Sequence, residues 1–424
     1  MSAADPSFLE VSSLGATAGF VELTRRPPAA VFDDVIGQQA AIEELTLAVA
    51  AARGEPGAPA AAMTHAWLFT GPPGSGRSIA ARAFAAALEC EYGGCGQCNH
   101  CRTVLGGTHG DVRTVVPEGL SISTGEMREV VQLASRRPGT ARFQIVLIED
   151  ADRLTEGASN ALLKVVEEPP PNTVFLLCAP STHPDDVSVT IRSRCRVLAL
   201  RTPSAASIAE VLVRRDGIDP EMAQWAASVC AGHVGRARRL ATDEQARDER
   251  RRILAVPAAL RTMSDVFAEA GELWASASGE ASTMSERRDS AELEELKTAL
   301  GAGGTGKGAV GAARGTAGVV KQLERRQKSR ATRTQRDVLD RALNDLSGFY
   351  RDVIAHSLGS TAPLMNPDIA AEIEVASSRL GSVGALQRLD AVLACREAIA
   401  VNVKPQIALE AMMMTLFAGP VRSA

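Results

Sequence analysis

The eight residues Gly71-Pro72-Pro73-Gly74-Ser75-Gly76-Arg77-Ser78 constrain this chain more than any other stretch. They follow the apolar run Ala66-Trp67-Leu68-Phe69-Thr70 and precede a helix-like stretch from Ile79 to Leu88. Strand, Gly-rich loop and helix, in that order, is the setting of a phosphate-binding loop. Gly71, Gly74 and Gly76, with Ser75 between them, let backbone N–H groups wrap phosphate oxygens at a helix N-terminus. Ser78 supplies the hydroxyl that holds magnesium when nucleotide is bound. Arg77 stands where such loops carry lysine. A guanidinium is planar and bulky where the motif uses a compact ammonium, so the exchange is not conservative. Arginine outnumbers lysine 40 to 6 in this chain, which gives Arg77 a second reading: compositional drift with nucleotide binding kept.

A second nucleotide element lies 71 residues beyond Ser78, where the apolar run Ile145-Val146-Leu147-Ile148 ends in Glu149-Asp150. An apolar strand ending in acids is the magnesium-holding and water-activating element of such ATPases. The usual order is Asp-Glu. Here Glu149 takes the metal position and Asp150 the base position, each displaced by about one methylene. A misplacement near 1 Å can cost ~100-fold in rate. With Arg77, this order favours weak or absent hydrolysis.

Cys90, Cys95, Cys98 and Cys101 crowd into twelve residues, while Cys178, Cys195, Cys230 and Cys395 are scattered. Two nested Cys-x-x-Cys steps plus a fourth thiolate suit tetrahedral zinc, with redox use as the alternative. The loop is too short to bury a core, so the metal would order it, at about 10–16 kcal/mol of apparent binding energy. His100 reads as a bystander, because four thiolates already fill the shell. A closed shell implies no catalysis.

Short β-rich runs at Trp67–Phe69, Val112–Val116, Gln144–Ile148 and Thr173–Cys178 alternate with helical stretches, which argues for a parallel α/β sheet. The expected organisation is a flexible extension over 1–30, an α/β nucleotide-binding domain over 31–202 with the zinc loop at 90–101, a helical lid over 203–242, and an all-α domain over 243–424. A Gly-rich stretch, 301–318, interrupts the last as a flexible linker. Its Gly301-Ala302-Gly303-Gly304-Thr305-Gly306-Lys307-Gly308 imitates a second phosphate loop, but a charged helix precedes it and Gly308 replaces the required hydroxyl residue. Residues 319–358 read as a long helix with a basic first half, Lys321, Arg325, Arg326, Lys328, Arg330, Arg333 and Arg336. It is either a solvated face, the favoured reading, or a DNA contact. Net charge is −4, so no global field draws the chain to nucleic acid or anionic lipid. No apolar run is long enough to span a membrane. The first thirty residues lack the positive-then-apolar order of a secretory signal, so a cytoplasmic location is expected.

These pieces resemble the bacterial clamp-loader subunits of DNA polymerase III, members of the AAA+ family. Val31-Phe32-Asp33-Asp34-Val35-Ile36-Gly37-Gln38 is similar to their adenine-side segment, which implies Val35 and Ile36 beside a base. The cysteine loop after the phosphate-loop helix is shared, although its first gap is shorter than usual. Asn160-Ala161-Leu162-Leu163-Lys164-Val165-Val166-Glu167-Glu168-Pro169-Pro170, Ile191-Arg192-Ser193-Arg194-Cys195 and Asn402-Val403-Lys404-Pro405-Gln406-Ile407-Ala408-Leu409-Glu410 resemble further family motifs. The resemblance implies an AAA+ domain, a helical lid and a C-terminal helical collar. It also implies partners: delta and gamma/tau subunits in a replisome-associated ring, a sliding clamp, and primed DNA through the assembled complex. ATP or ADP with magnesium, and zinc, are the implied cofactors. Arg194 is implied to be an arginine finger for a neighbour's ATP. At the lid position where motor subunits carry a sensing arginine stands Gly235, with Arg236 adjacent. Departures thus fall on the chain's own nucleotide site while the finger is intact, which fits a stator-like ring member. Two alternatives stand beside it: an active motor ATPase, and a zinc-dependent DNA-binding module with a dead phosphate loop.

Overall fold

The computed structural model describes residues 29–117, 119–299 and 309–418. Most of the expected N-terminal extension and the first part of the Gly-rich stretch lie outside these residues. The chain divides into two compact units. The first takes in the described residues of Met1–Pro117, Ser121–Gly217 and Gly232–Gly235; the second takes in those of Glu118–Leu120, Ile218–Ala231 and Arg236–Ala424.

The first unit is built on five parallel strands. In chain order its elements are α1 (Gln39–Ala52), β1 (Ala66–Thr70), α2 (Arg77–Glu89), α3 (Asn99–Leu105), β2 (Val112–Val115), α4 (Thr124–Ala134), β3 (Gln144–Ile148), α5 (Glu156–Glu167), β4 (Thr173–Ala179), α6 (Val189–Arg192), β5 (Arg196–Ala199) and α7 (Ala205–Arg214). The strand order is β2-β3-β4-β1-β5. Every residue of β1, β3 and β4 is buried, as expected of parallel strands covered on both faces. Trp67 and Phe84 meet edge to face at 5.1 Å on the α2 side, and Ile148, Phe175 and Leu177 pack with Leu162 and Val166 of α5 in a second layer. Caps set the helix starts. Ser123 and Glu126 form a reciprocal capping box on α4, and Thr155 accepts from Ala158 N to cap α5. The expected α/β layer with a parallel sheet is therefore present. The strand that the sequence reading lacked is β5, a four-residue strand whose residues alternate in exposure.

The second unit is helical: α8 (Pro220–Val229), most of α9 (Val234–Thr242), α10 (Glu244–Ala259), α11 (Met263–Ala299), α12 (Ala309–Ser357), α13 (Ala370–Ala400) and α14 (Pro405–Phe417). Helix α12 packs on α11 and α13, and α14 packs on both α11 and α13. Leu339, Leu343, Leu346, Tyr350 and Val353 of α12 form the buried stripe of this core. The stretch 203–242, expected as one lid, is shared between the two units. Within the second unit Trp225 of α8 lies 6.0 Å beneath the Arg250 guanidinium of α10. Residues 309–318, expected as linker, belong to α12; Ala309, Ala312, Ala313 and Ala317 are strong helix formers. In the basic half of α12, Arg330 is paired with Asp289 (2.6 Å) and Glu292 (2.6 Å) of α11, whereas Lys321, Arg325 and Lys328 are exposed.

Asp111, at the entry to β2, ties down the loop that leads into β3. Its carboxylate accepts the N–H groups of Gly139 (2.7 Å), Thr140 (2.8 Å) and Ala141 (3.0 Å) and the Thr140 hydroxyl (2.7 Å). Burial alone would raise its pKa, but these donors outweigh burial and hold it below the usual carboxylate range. A depressed carboxyl contributes stability above its unfolded pKa, about 3.9, and loses it as pH falls through the folded value. Asp111→Asn should cost about 1.5–3 kcal/mol at neutral pH, and its deficit should shrink below about pH 4. Denaturant melts of both forms across that range test this; a deficit unchanged by acid would count against the carboxylate cradle.

Candidate functional site

The phosphate loop leaves the carboxyl end of β1 between β4 and β5. Thr70 O accepts Leu200 N at 2.7 Å and Gly71 N donates to Pro180 O at 3.2 Å, so neighbours on both sides fix the loop's root. Gly74 has a φ of 87°, and a Cβ there would lie 2.7 Å from His233 Cα. At Gly71 (φ 155°) a Cβ would lie 2.6 Å from Leu200 O. Both positions require glycine on backbone and steric grounds. Gly76 is the N-cap of α2; it has no side-chain cap bond, and the first turn of α2 carries no acid. The N–H groups of that first turn are the part able to take phosphate oxygens. Ser75 is buried between these glycines, its Oγ 2.7 Å from where a Cβ on Gly71 would stand.

Arg77 opens α2, and its Nη1 donates to Gly71 O, the first carbonyl of the loop itself. Ser78, next along, lies against the thiol of Cys178 at the end of β4, which burial pushes well above its ordinary range. Glu149 and Asp150 follow β3, two strands from β1 in the sheet. Glu149 Oε1 is paired with Arg82 Nη2 of α2 at 2.6 Å. Glu149, expected at the metal position, therefore already has a cationic partner. Burial, and then the charge of Asp150, raises the carboxyl of nearby Asp152. Arg82 was missed by motif reading because it lies outside the eight-residue pattern. Its only signal is its place one and a half turns into α2.

Val35 is buried among the core residues and Ile36 is half-buried. Gln38, 5% exposed, binds this segment to the site. Its Nε2 donates to Ser75 O (3.3 Å) and Arg201 O (2.5 Å), while its Oε1 accepts from Arg201 N (3.0 Å). One amide thus joins the segment 31–38, the phosphate loop and the exit of β5. His233 was also missed: its contact with Gly74 spans 159 positions and no local pattern marks it. Arg236, the neighbour of the lid position Gly235, donates to Asp345 of α12 within the second unit.

The four clustered cysteines converge. The Sγ atoms of Cys90, Cys95, Cys98 and Cys101 all lie within 4.8 Å of one another, with Cys90 3.7 Å from both Cys95 and Cys98. A tetrahedral shell with metal–sulfur bonds of about 2.3 Å has sulfur–sulfur edges of about 3.8 Å, so the donor set fits such an ion. Backbone N–H groups point at the sulfurs: Tyr92 N and Cys95 N at Cys90 Sγ (3.3 and 3.4 Å), Cys98 N at Cys95 Sγ (3.3 Å) and Cys101 N at Cys98 Sγ (3.4 Å). Burial works against ionising Cys90, but the donors of Cys95, Gly94 and Tyr92 outweigh it and bring that thiol down to about 7. Burial raises Cys98 and Cys101. His100 Nδ1 lies 2.9 Å from His109 Nε2, outside the cluster. Because Asp111 N donates to His109 Nδ1 (3.1 Å), the His109 proton sits on Nε2 and is donated to His100.

Arg194 lies in the turn between α6 and β5. Its Nη2 is paired with Glu167 Oε1 at 2.6 Å, and its Nη1 donates to Thr190 O (2.9 Å) and Ser193 Oγ (3.2 Å). The side chain is 38% exposed, so the guanidinium is at the surface.

Residues 57–204 match the family described as DNA polymerase III, delta subunit. The DNA polymerase III subunit tau of Bacillus subtilis is 33% identical over 168 residues, 39% of this chain and 28% of that protein. The subunit delta′ of the same organism is 30% identical over 195 residues, 45% of this chain and 58% of that protein. The subunit delta′ of Pseudomonas aeruginosa is 36% identical over 156 residues, 35% of this chain and 47% of that protein. The chain therefore spans less than two thirds of the length of each of these relatives. Residues 57–204 are thus similar to the domain described as DNA polymerase III, delta subunit, and to subunits delta′ and tau of DNA polymerase III.

Proposed function

We propose that this chain is the δ′ (delta-prime) subunit of the replicative clamp loader, a stator-like member that hydrolyses little or no ATP itself. It works with delta and gamma/tau subunits to place a sliding clamp on primed DNA, in the cytoplasm at the replisome. The observation that carries this reading is the contrast between its two arginine settings. In its own pocket Arg77 is turned onto the Gly71 carbonyl and Arg82 is paired with Glu149. At its surface Arg194 stands in the Ser-Arg-Cys turn, partly open to solvent. A finger delivered to a neighbouring subunit accelerates hydrolysis by about 10³–10⁵, or about 4–7 kcal/mol of barrier. ATP or ADP with magnesium on Ser78 can still occupy the loop without turnover. No helix among the described residues is long and apolar enough to cross a membrane.

A second reading is an active gamma/tau-like motor. Its support is the Bacillus subtilis tau subunit, as similar over the shared domain as the delta′ relatives are. Under that reading Arg77 serves as the lysine. Two measurements separate the readings. The purified chain alone should show negligible ATP hydrolysis, and brisk turnover would favour the motor. In the complex reconstituted with partner subunits, Arg194→Ala should lower ATP turnover by about 10³-fold or more at the site it serves, with this chain's melting temperature unchanged. Normal turnover would remove the finger.

Zinc is the ion we assign to Cys90, Cys95, Cys98 and Cys101. When bound there it supplies a structural cross-link and no reaction step. Elemental analysis of the purified chain should find about one zinc per molecule, and Cys101→Ser should lose it together with the ordering of residues 90–101. A chain that stays folded with no metal, or a Cys90–Cys95 disulfide in its place, would overturn the assignment.

A further inference from the structure

A surface arginine ordinarily samples many rotamers, and fixing one costs entropy. Arg194 is held at both ends of its guanidinium fork. Thr190 and Ser193, which take Nη1, belong to the same short turn as Arg194 and move with it. Glu167, which takes Nη2 at 2.6 Å, comes from a different element. It is the last residue of α5, a helix whose Leu162 and Val166 are buried under the sheet. Glu167 is thus the link that ties the arginine tip to the rigid body of the domain. Helix physics does not favour an acid there, because the C-terminal end of a helix dipole is negative and repels a carboxylate. Glu168 follows directly, adding like charge. The arginine relieves both. A guanidinium has five N–H donors, and the bonds to Glu167, Thr190 and Ser193 leave donors for a phosphate on a side chain that is 38% exposed.

We propose that Glu167 is a positioning residue for Arg194: its carboxylate holds the finger extended at the domain surface before a neighbouring subunit's nucleotide arrives. The proposal rests on the finger reading above and adds to it a second residue that touches no substrate. Pre-ordering matters because a reacting group misplaced by about 1 Å can lose ~100-fold in rate.

The test is steady-state ATP hydrolysis by the complex reconstituted from the full chain and its partner ATPase subunits. Glu167→Ala should lower kcat about 10- to 100-fold and leave the KM for ATP unchanged. Glu167→Gln keeps an acceptor at the same reach and should retain most of the rate. The double variant Glu167→Ala, Arg194→Ala should be no slower than Arg194→Ala alone, since residues acting as a unit are not additive. That non-additivity is a readout that loss of fold would not produce. Unchanged or raised turnover in Glu167→Ala, with Arg194→Ala inactive, overturns the positioning role and leaves the finger standing. An additive double variant also overturns it. Normal turnover in Arg194→Ala removes the finger reading and this inference with it.

Discussion

The turn from β1 into α2 has no room for a side chain at Gly71 or Gly74, and the close packing of the first unit around the loop depends on that. At Gly74 the backbone of His233 lies where a Cβ would stand, and at Gly71 the carbonyl of Leu200 does. The loop can come this close only because β1 is buried on every residue and registered against β4 and β5 along its length. A parallel sheet needs crossovers, and here the crossovers are helices whose caps lie in the sequence at the right places. Gln38 then closes the arrangement. A single buried amide satisfies one carbonyl of the phosphate loop and both backbone groups of Arg201, three polar atoms that would otherwise be costly to bury.

The parts of this molecule legible in the sequence are those whose signal is local. The phosphate loop, the strands β1 to β4, the clustered cysteines and the helices α7 to α9 all announce themselves within a dozen residues. β5 did not, because its four residues alternate in exposure and its apolar stretch, 197–200, is short and closely flanked by Arg194, Arg196 and Arg201. Arg196 nonetheless belongs to the sheet, its guanidinium stacked 5.2 Å over the ring of Trp67 and bonded to Ala61 and Ala62 carbonyls. The partners of the site residues were not legible at all. That Glu149 meets Arg82, that Arg194 meets Glu167, and that His233 meets Gly74 are products of the folded topology. Sequence distance hides them, and arginine abundance hides them further, since forty candidates compete for each acid.

The cysteine loop shows how a short segment with no core of its own joins that of its domain: Cys90 and Cys101 are buried in the main cluster, and Cys95 and Cys98 pack against it. It follows α2 directly, with Cys90 at that helix's C-terminal cap. Gly93, Gly94 and Gly96 all have positive φ, which lets the chain wrap tightly enough for successive N–H groups to face the sulfurs. Those donors favour thiolates over thiols. An ion held there would act on the same sulfurs in the same direction as the N–H groups and would remove the repulsion between charged ligands. Glu89, buried just before Cys90, has its carboxyl raised to about 8 by burial even though it accepts the N–H groups of Arg142 and Phe143. It holds the end of α2 to the approach to β3. The cysteine loop is therefore anchored at its root to the approach to β3.

Three arginines in the first unit separate what a guanidinium can do by where its fork is spent. Arg77 donates to a carbonyl of its own loop, so part of its fork is turned onto the backbone and away from any phosphate. Arg82 donates to Glu149, so an acid that would attract a metal ion already has a counter-charge. Each contact lowers the net field available to a nucleotide in this pocket, one by occupying a donor and the other by occupying an acceptor. Arg194 has a carboxylate partner too, but at the surface, where solvent screening makes such a pair worth little, about 0–1 kcal/mol. Under the finger reading proposed above, a phosphate at a subunit boundary would meet the donors that Glu167, Thr190 and Ser193 leave unused. Exposure of the arginine does not separate Arg82 (36%) from Arg194 (38%); what separates them is the acid each one meets, the half-buried Glu149 at the end of β3 and the exposed Glu167 at the end of α5.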